Sequence, residues 1–97
     1  MFTMEAIKQT AIPIAKKFDI KSLSLFGSYA RHEETEDSDL DFLIDKGGLR
    51  SLLQYSDLVL QLEDAFGCHV DVVTTGIDDK AFLEHILKES VKLYERE

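Results

Sequence analysis

Residues 23–45, LSLFGSYARHEETEDSDLDFLID, decide the fold and carry its chemistry. A short apolar run ends at Gly27 and Ser28, a polar segment follows, and a second apolar run opens with Asp39 and Asp41. Because strand residues two apart share a face, the two carboxylates point the same way. The alternate positions point into the core, and they are apolar: Leu40, Phe42 and Ile44. Since two like charges on one face repel each other, this strand predicts a bound cation.

The composition predicts a single domain over residues 1–97, since 44% of the chain is hydrophobic and no repeat, low-complexity tract or linker interrupts it. No apolar run approaches the roughly 20 residues that a membrane helix needs. The N-terminus lacks the basic and apolar regions of a secretory signal. The lone Cys68 excludes an internal disulfide and fits a reducing compartment. We therefore expect a cytoplasmic domain without a membrane partner.

The charge balance narrows the class of partner. Nineteen acidic residues against 11 lysines and arginines give a net charge of −8. Because this surface repels phosphate backbones, direct nucleic-acid binding is not expected. A basic protein partner remains open, and the sequence is compatible with both homo- and hetero-oligomers.

Hydrophobic periodicity predicts the order helix, strand, short helix, strand, helix, strand, helix. The helices cover residues 3–18, a short stretch from 28, 49–66, and a last segment from 78 or 79 to about 94; the strands cover 22–26, 39–45 and 68–74. This order predicts an α/β (α+β) fold, with a small mixed β-sheet and helices packed on one face. Thr3 is the expected first cap, and Pro13 predicts a kink. Leu52, Leu53 and Leu60 are expected on the apolar face of helix 49–66.

A third acid strengthens the prediction of a metal site. In strand 68–74, Val70 and Val72 alternate with Asp71, so Asp71 falls on the polar face of the same sheet. Carboxylate oxygens are the ligands that Mg²⁺ prefers, and two such ions suit an in-line phosphoryl or nucleotidyl transfer. Asp39 and Asp41 by themselves are more typical of a solvated strand face than of a metal site, and the third acid shifts the balance towards the metal.

Gly27 and Ser28 predict a phosphate contact. Glycine after a strand lets the backbone approach a phosphate closely, and a following helix start offers free N–H groups. The Gly-x-x-x-x-Gly-Lys pattern of a P-loop is absent. Arg31 fits either a phosphate contact or a structural ion pair. His69 shares the face of Asp71 and fits either the site or the exposed end of a strand.

The combined pattern, Gly-Ser, ten residues, Asp-x-Asp and a distal Asp, resembles the polymerase-beta-like nucleotidyltransferase superfamily. GSYAR, SDLDFLI and HVDVVT more closely resemble the minimal nucleotidyltransferases of bacteria and archaea, and the likeness spans nearly the whole chain. Members of that family are often the antitoxin of a two-gene module whose toxin is a helical HEPN-domain ribonuclease. The resemblance implies an enzyme that transfers AMP from ATP to a tyrosine hydroxyl of that toxin and so silences it.

The resemblance also assigns roles to individual residues. Gly27 and Ser28 match the phosphate-contacting Gly-Ser of the family. Asp39 and Asp41 match its metal-binding pair, which implies Mg²⁺, two ions with ATP. Asp71 matches the third acid, which completes the metal site and helps to deprotonate the attacking hydroxyl.

One position departs from the family pattern. Arg31 and Glu33 match the common Ala-Arg-Gly-Glu stretch, in which Arg31 is a nucleotide-binding candidate, but His32 replaces the glycine. Because of this difference, the loop at His32 is not assumed to have the family shape, whereas the expected metal site is unaffected.

Two other functions compete with adenylyl transfer. A non-catalytic antitoxin could neutralise its partner by occlusion, although such a binding module would have no need to keep the Gly-Ser pair and all three acids. Nucleotidylation of a small molecule such as an aminoglycoside ranks lower, because nothing in the sequence supplies a pocket for one.

Overall fold

The computed structural model describes residues 2–35 and 38–96, and these form three helices and a four-stranded sheet. The elements in chain order are α1 (Met4–Lys17), β1 (Ser22–Phe26), β2 (Leu40–Asp45), α2 (Leu52–Phe66), β3 (Val70–Thr74), α3 (Lys80–Glu89) and β4 (Val91–Glu95). The polar loop predicted at 33–38 includes positions 36 and 37, which lie outside the described residues.

The strand order in the sheet is β3-β2-β1-β4. Strand β1 pairs antiparallel with both β2 and β4, whereas β2 and β3 run parallel. The parallel pair needs a crossover, and α2 supplies it between β2 and β3. The predicted mixed α/β fold is therefore confirmed.

The main core lies between the sheet and two helices. Ile7 and Ala11 of α1 and Leu58 and Leu62 of α2 belong to one buried cluster with the inward side chains of the strands. The alternation predicted for β2 is confirmed, because three of its side chains are completely buried: Leu40, Phe42 and Ile44. Helix α1 runs continuously through Pro13, and Thr3 caps it by accepting a hydrogen bond from the Ala6 amide at 3.0 Å.

A second, smaller cluster covers the opposite face of the sheet. Ile86 of α3 packs there with Phe26 and Leu43. Leu43 lies two residues after Asp41 in β2, so α3 packs on the face that carries the acids. The expectation of helices on one face holds for α1 and α2, whereas α3 lies on the other, because Phe26 and Leu43 would otherwise expose apolar area there.

The prediction of a last helix reaching Tyr94 is wrong. Helix α3 ends at Glu89, Ser90 is extended with φ −76° and ψ 150°, and residues 91–95 form β4. The pattern VKLYE suits a strand as well as a helix, and the open edge of β1 decides between them. Since both edges of β1 are then paired, the sheet gains a fourth strand that periodicity did not reveal.

Helix α2 buries a narrower face than its sequence predicts. Ser51 caps the helix and Gly67 ends it in the left-handed conformation, with φ 67°. Leu58, Leu62 and Phe66 are buried, as expected for the core-facing stripe. Three other leucines are exposed: Leu52 (79%), Leu53 (80%) and Leu60 (61%). The short sheet covers only one side of the helix, so these leucines face outward.

The segment after β1 is a compact turn, and it does not form the short helix that we predicted. The Arg31 amide donates to the Gly27 carbonyl at 3.1 Å, and the Glu33 amide donates to the Ser28 carbonyl at 2.9 Å. His32 closes this turn with φ 59°, in the left-handed region that favours glycine. His32 thus adopts a backbone conformation that glycine takes more readily than other residues.

Among the described helices, none combines the length and apolarity that crossing a bilayer would require.

Replacing His32 by glycine should raise the free energy of unfolding by about 0.5–1 kcal/mol. An L side chain in the left-handed region costs roughly 1–2 kcal/mol, and glycine offsets part of the gain by loosening the unfolded chain, by about 0.5–1 kcal/mol. Urea denaturation of both proteins measures the change. His32→Ala is the control, because it keeps Cβ and should show no gain; an equal gain there would locate the strain in the imidazole.

Candidate active site

The three predicted acids meet on neighbouring strands. The parallel register pairs Asp41 of β2 with Asp71 of β3, and Leu40 with Val70. Asp39 and His69 stand immediately before these paired positions, and the Leu40 amide donates to the His69 carbonyl at 3.4 Å. Four polar side chains therefore occupy one corner of the sheet face.

The donors at this corner fit a divalent cation. Carboxylate oxygens of Asp39 and Asp71 and a ring nitrogen of His69 all lie within 4.8 Å of one another, and the three residues are exposed. Oxygen ligands suit Mg²⁺, and an added imidazole nitrogen is also accepted by Mn²⁺ and other transition metals. Asp41 flanks Asp71 across the strand pair. The residues that could hold a metal are thus the predicted trio together with His69.

His69 is held between two carboxylates. One ring nitrogen, Nε2, lies 2.9 Å from Asp71 Oδ1, and the other, Nδ1, lies 3.2 Å from Glu63 Oε2. The hydrogen bond to Asp71 is the main cause that raises the pKa of His69, followed by the charge of the same carboxylate. Glu63 also accepts a hydrogen bond from the Val70 amide at 3.3 Å, which ties α2 to the start of β3.

Asp41 is the most perturbed acid of the group. Burial is the largest cause that raises its pKa from 3.8 to about 6, followed by the neighbouring Asp71 carboxylate; the charge of Asp39 adds a smaller part. Arg31 opposes the shift but does not cancel it. A carboxylate whose pKa is raised by burial and by a neighbouring carboxylate is typical of functional sites.

Gly27 is required by its contact with Asp41. The antiparallel register pairs Phe26 with Asp41, so the chain turns directly beside that carboxylate. Gly27 has φ 77°, and a Cβ placed on it would collide with Asp41 Oδ2 and lie 3.0 Å from Asp41 Cγ. Half-buried Ser28 follows in the turn. The predicted Gly-Ser element therefore adjoins the acids in space as well as in sequence.

Arg31 makes ion pairs. Its Nη1 lies 3.2 Å from Oε2 of Glu89, and its Nε lies 3.5 Å from Oε2 of Glu33. Glu89 is the last residue of α3 and also accepts a hydrogen bond from the Gly27 amide at 3.4 Å. Of the two roles open to Arg31, the structure thus shows the ion pair.

The tyrosines near the site pack against the core. Tyr29 is buried, and the half-buried Tyr55 donates its hydroxyl hydrogen to the Val72 carbonyl at 2.5 Å. Burial is the first cause that raises the pKa of Tyr55, and it is also the first cause that raises the pKa of the half-buried Cys68 thiol. A raised thiol pKa fits a small apolar packing residue and does not suit a nucleophile.

The acids lie on an open surface. A cavity of about 280 Å³ is found at the opposite end of β2 and β3, lined by residues that include Lys46, Arg50, Tyr55 and Thr74. Thr74 pairs with Ile44, three positions along β2 from Asp41, so this cavity and the acid corner are separate. An exposed site of this kind is accessible to a group presented by a large partner.

Two residues near the acids had not been predicted to take part. Glu63 and Glu89 come from helices, and only their contacts with His69, Arg31 and Gly27 connect them to the site. For His69 the signal was present, because it precedes Asp71 by two residues on the same face. Glu89 was missed because the last helix was predicted to continue to about Tyr94, whereas it ends at Glu89.

Comparison with known proteins finds relatives that match most of this chain. The family model described as "Polymerase beta, Nucleotidyltransferase" matches residues 8–97. A Methanocaldococcus jannaschii protein that carries a protein adenylyltransferase name is 42% identical over 88% of this chain and 91% of its own length. The protein adenylyltransferase MntA of Thermococcus cleftensis is 33% identical over 94% of this chain and 96% of its own.

Solved structures share the fold. One titled as a minimal nucleotidyltransferase is 32% identical, with a TM-score of 0.74 over 91% of this chain and 90% of that one. A toxin–antitoxin structure with AMP-PNP has a TM-score of 0.79 at 17% identity, over 93% and 74% of the two chains. A tri-AMPylated Shewanella oneidensis HEPN toxin in complex with its MNT antitoxin gives 0.75 at 16% identity, over 97% and 74%.

The structure places the acids of β2 and β3 side by side, with the glycine turn against them. The family model covers most of the chain, and relatives exceed 30% identity. This chain belongs to the polymerase beta nucleotidyltransferase family and is a nucleotidyltransferase related to the protein adenylyltransferases.

Proposed function

We propose that this protein transfers AMP from ATP to a tyrosine hydroxyl of a HEPN-type toxin and thereby acts as its antitoxin. The observation that carries the proposal is the pairing of Asp41 with Asp71 beside the turn at Gly27 and Ser28. The relatives are named protein adenylyltransferases, and two structural neighbours are a toxin–antitoxin with AMP-PNP and a tri-AMPylated HEPN toxin in complex with an MNT antitoxin.

The proposed reaction is an in-line displacement at the α-phosphorus. The acceptor oxygen forms a bond to phosphorus while the bond to the bridging oxygen of the leaving pyrophosphate breaks. The proton of the hydroxyl passes to a carboxylate, for which Asp71 is the candidate because it lies at the exposed edge of the site. The Gly27 amide, the Ser28 hydroxyl and Arg31 are the groups proposed to donate hydrogen bonds to the phosphates of ATP.

Asp39, Asp41, Asp71 and His69 are the residues that would hold the metal, proposed as two Mg²⁺ ions with ATP. When bound, Mg²⁺ would lower the pKa of the attacking hydroxyl and neutralise charge on the phosphates. Two observations support this assignment. Ligand atoms of Asp39, His69 and Asp71 lie close together, and the pKa of Asp41 is raised. A bound cation would offset the repulsion among these carboxylates.

A protein acceptor suits the exposure of the surface better than a small molecule does. The acids do not line the cavity beside Lys46, Tyr55 and Thr74, and they lie on an exposed surface, so an acceptor has to be positioned by contacts elsewhere. Exposed apolar side chains on two helices could provide them: Leu52, Leu53, Leu60, Phe82 and Leu87. Exposed apolar groups of this kind often mark protein contacts.

Asp41→Asn should lower AMP transfer by at least about 100-fold while the fold is kept, because the amide cannot serve as an anionic metal ligand. Intact mass spectrometry of the toxin, after incubation with ATP, Mg²⁺ and each variant, measures the adenylate added. Asp57→Asn, an exposed change on α2, should leave the rate unchanged. Labelling by Asp41→Asn at the wild-type rate would refute the role of Asp41 as a metal ligand.

Gly27→Ala should abolish transfer and destabilise the protein more than Gly67→Ala does. Both positions have a positive φ, 77° and 67°, but a Cβ meets the Asp41 carboxylate only at the first, and at Gly67 it finds no atom within 4 Å. Each variant should lose about 1 kcal/mol from the backbone conformation, and Gly27→Ala should lose more because of the collision. Denaturation and transfer assays check both effects, and transfer by Gly27→Ala at the rate of Gly67→Ala would contradict the placement.

The metal-free protein should lose stability as the pH rises from about 4 to about 6. The folded state holds the Asp41 proton up to a pKa of about 6, against 3.8 ordinarily, so it binds this proton more tightly than the unfolded chain. The loss should be roughly 1 kcal/mol once solvent screening is allowed for.

Urea denaturation of the metal-free protein, in the presence of a chelator, measures this step at several pH values. Asp41→Asn should remove the step, whereas Asp57→Asn should keep it. Identical pH profiles for wild type and Asp41→Asn would show that burial and the neighbouring carboxylates do not raise the pKa of Asp41.

A further inference from the structure

The carboxylate of Glu89 contacts two of the groups proposed to donate hydrogen bonds to the phosphates. Its Oε1 accepts a hydrogen bond from the Gly27 amide at 3.4 Å and another from Arg31 Nη1 at 3.3 Å, and its Oε2 lies 3.2 Å from the same guanidinium nitrogen. The Glu89 side chain is only 19% exposed. One anionic group thus engages two groups that the sequence pattern marks for another anion.

The position of Glu89 is fixed from both sides. Before it, Ile86 packs on Phe26 and Leu43 and holds α3 on the sheet. After it, Ser90 is extended and the chain enters β4, which pairs with β1. Because β1 ends directly before Gly27, the two ends of this connection place the Glu89 carboxylate beside the turn.

A carboxylate and a phosphate present the same chemistry to these donors. Both offer anionic oxygens that accept from a backbone N–H and from a guanidinium group. A triphosphate that uses Gly27 and Arg31 as proposed above therefore cannot bind while Glu89 keeps both contacts. The charge of Glu89 would also oppose the approach of the phosphates.

We propose that Glu89 occupies the triphosphate-binding donors in the nucleotide-free protein, and that a triphosphate binds by displacing it. Glu89 then lowers the affinity for the triphosphate. This inference rests on the proposed nucleotidyl transfer for the identity of the ligand, but its contacts are those of the structure itself.

The test measures binding of inorganic tripolyphosphate with Mg²⁺ by titration calorimetry, a probe that needs neither adenine recognition nor a partner protein. Glu89→Gln keeps the size of the side chain and its acceptor oxygen but removes the charge. We expect it to bind the probe about two- to fivefold more tightly at low salt, the range that one partly exposed ion pair supports. The gain should shrink at high salt.

Two further variants separate competition from a structural role. Glu84→Gln, exposed on the same helix, is the matched control and should bind like the wild type. Arg31→Gln should weaken binding, and adding Glu89→Gln to it should give a smaller gain than in the wild type, because Arg31 is the donor that Glu89 releases. Thermal melting confirms that each variant is folded.

Weaker or unchanged binding in folded Glu89→Gln would overturn the proposal, because Glu89 would then be orienting the turn. Absence of binding in both wild type and Glu89→Gln would overturn it as well, and so would an undiminished gain in the Arg31→Gln background. Failure of the proposed function is recognised separately: tighter binding by Glu89→Gln without AMP transfer by the wild type supports this inference and refutes the transfer. Normal AMP transfer by the wild type, with unchanged tripolyphosphate binding by Glu89→Gln, supports the proposed function and refutes this inference.

Discussion

The pairing of β2 with β3 is the constraint on which the site depends. Parallel strands in register place Asp41 beside Asp71, and burial together with the Asp71 carboxylate raises the pKa of Asp41 to about 6. Two neighbouring residues fit that pair. Gly27 lacks a side chain because Asp41 fills the space, and His69 lies between Asp71 and Glu63 where it balances negative charge. The fold therefore keeps together carboxylates that would separate in a free chain.

Most of the site could be predicted from the sequence because its signals are local. Alternation along β2 and β3 fixes the face of each acid, and the apolar residues between them fix which face is buried. Gly27, Asp39, Asp41 and Asp71 lie where that reasoning places them, with the parallel register as the one step that the pattern does not contain. A crossover helix between the two strands made a parallel pair the natural solution.

The remainder depends on contacts between distant parts of the chain. VKLYE reads equally well as helix or strand, and only the open edge of β1 makes it β4. Helix α3 lies on the acid face because Phe26 and Leu43 need cover, and this fact in turn brings Glu89 to the turn at Gly27. Leu52, Leu53 and Leu60 follow helical periodicity and are nevertheless exposed, since periodicity cannot report how wide a sheet the helix will meet.

The position of β4 beside β1 has a consequence for the way the protein is made. Strand β1 is synthesised early, but its partner at residues 91–95 leaves the ribosome roughly 70 residues later. Pairings of such long range are slow to form, and until then the edge of β1 is open to other chains. Because Glu89 lies two residues before β4, its contacts at Gly27 and Arg31 also involve the part of the chain that is synthesised late. The fourth strand of the sheet and the Glu89 contact with the Gly27 turn thus both depend on residues translated after the acid-bearing strands.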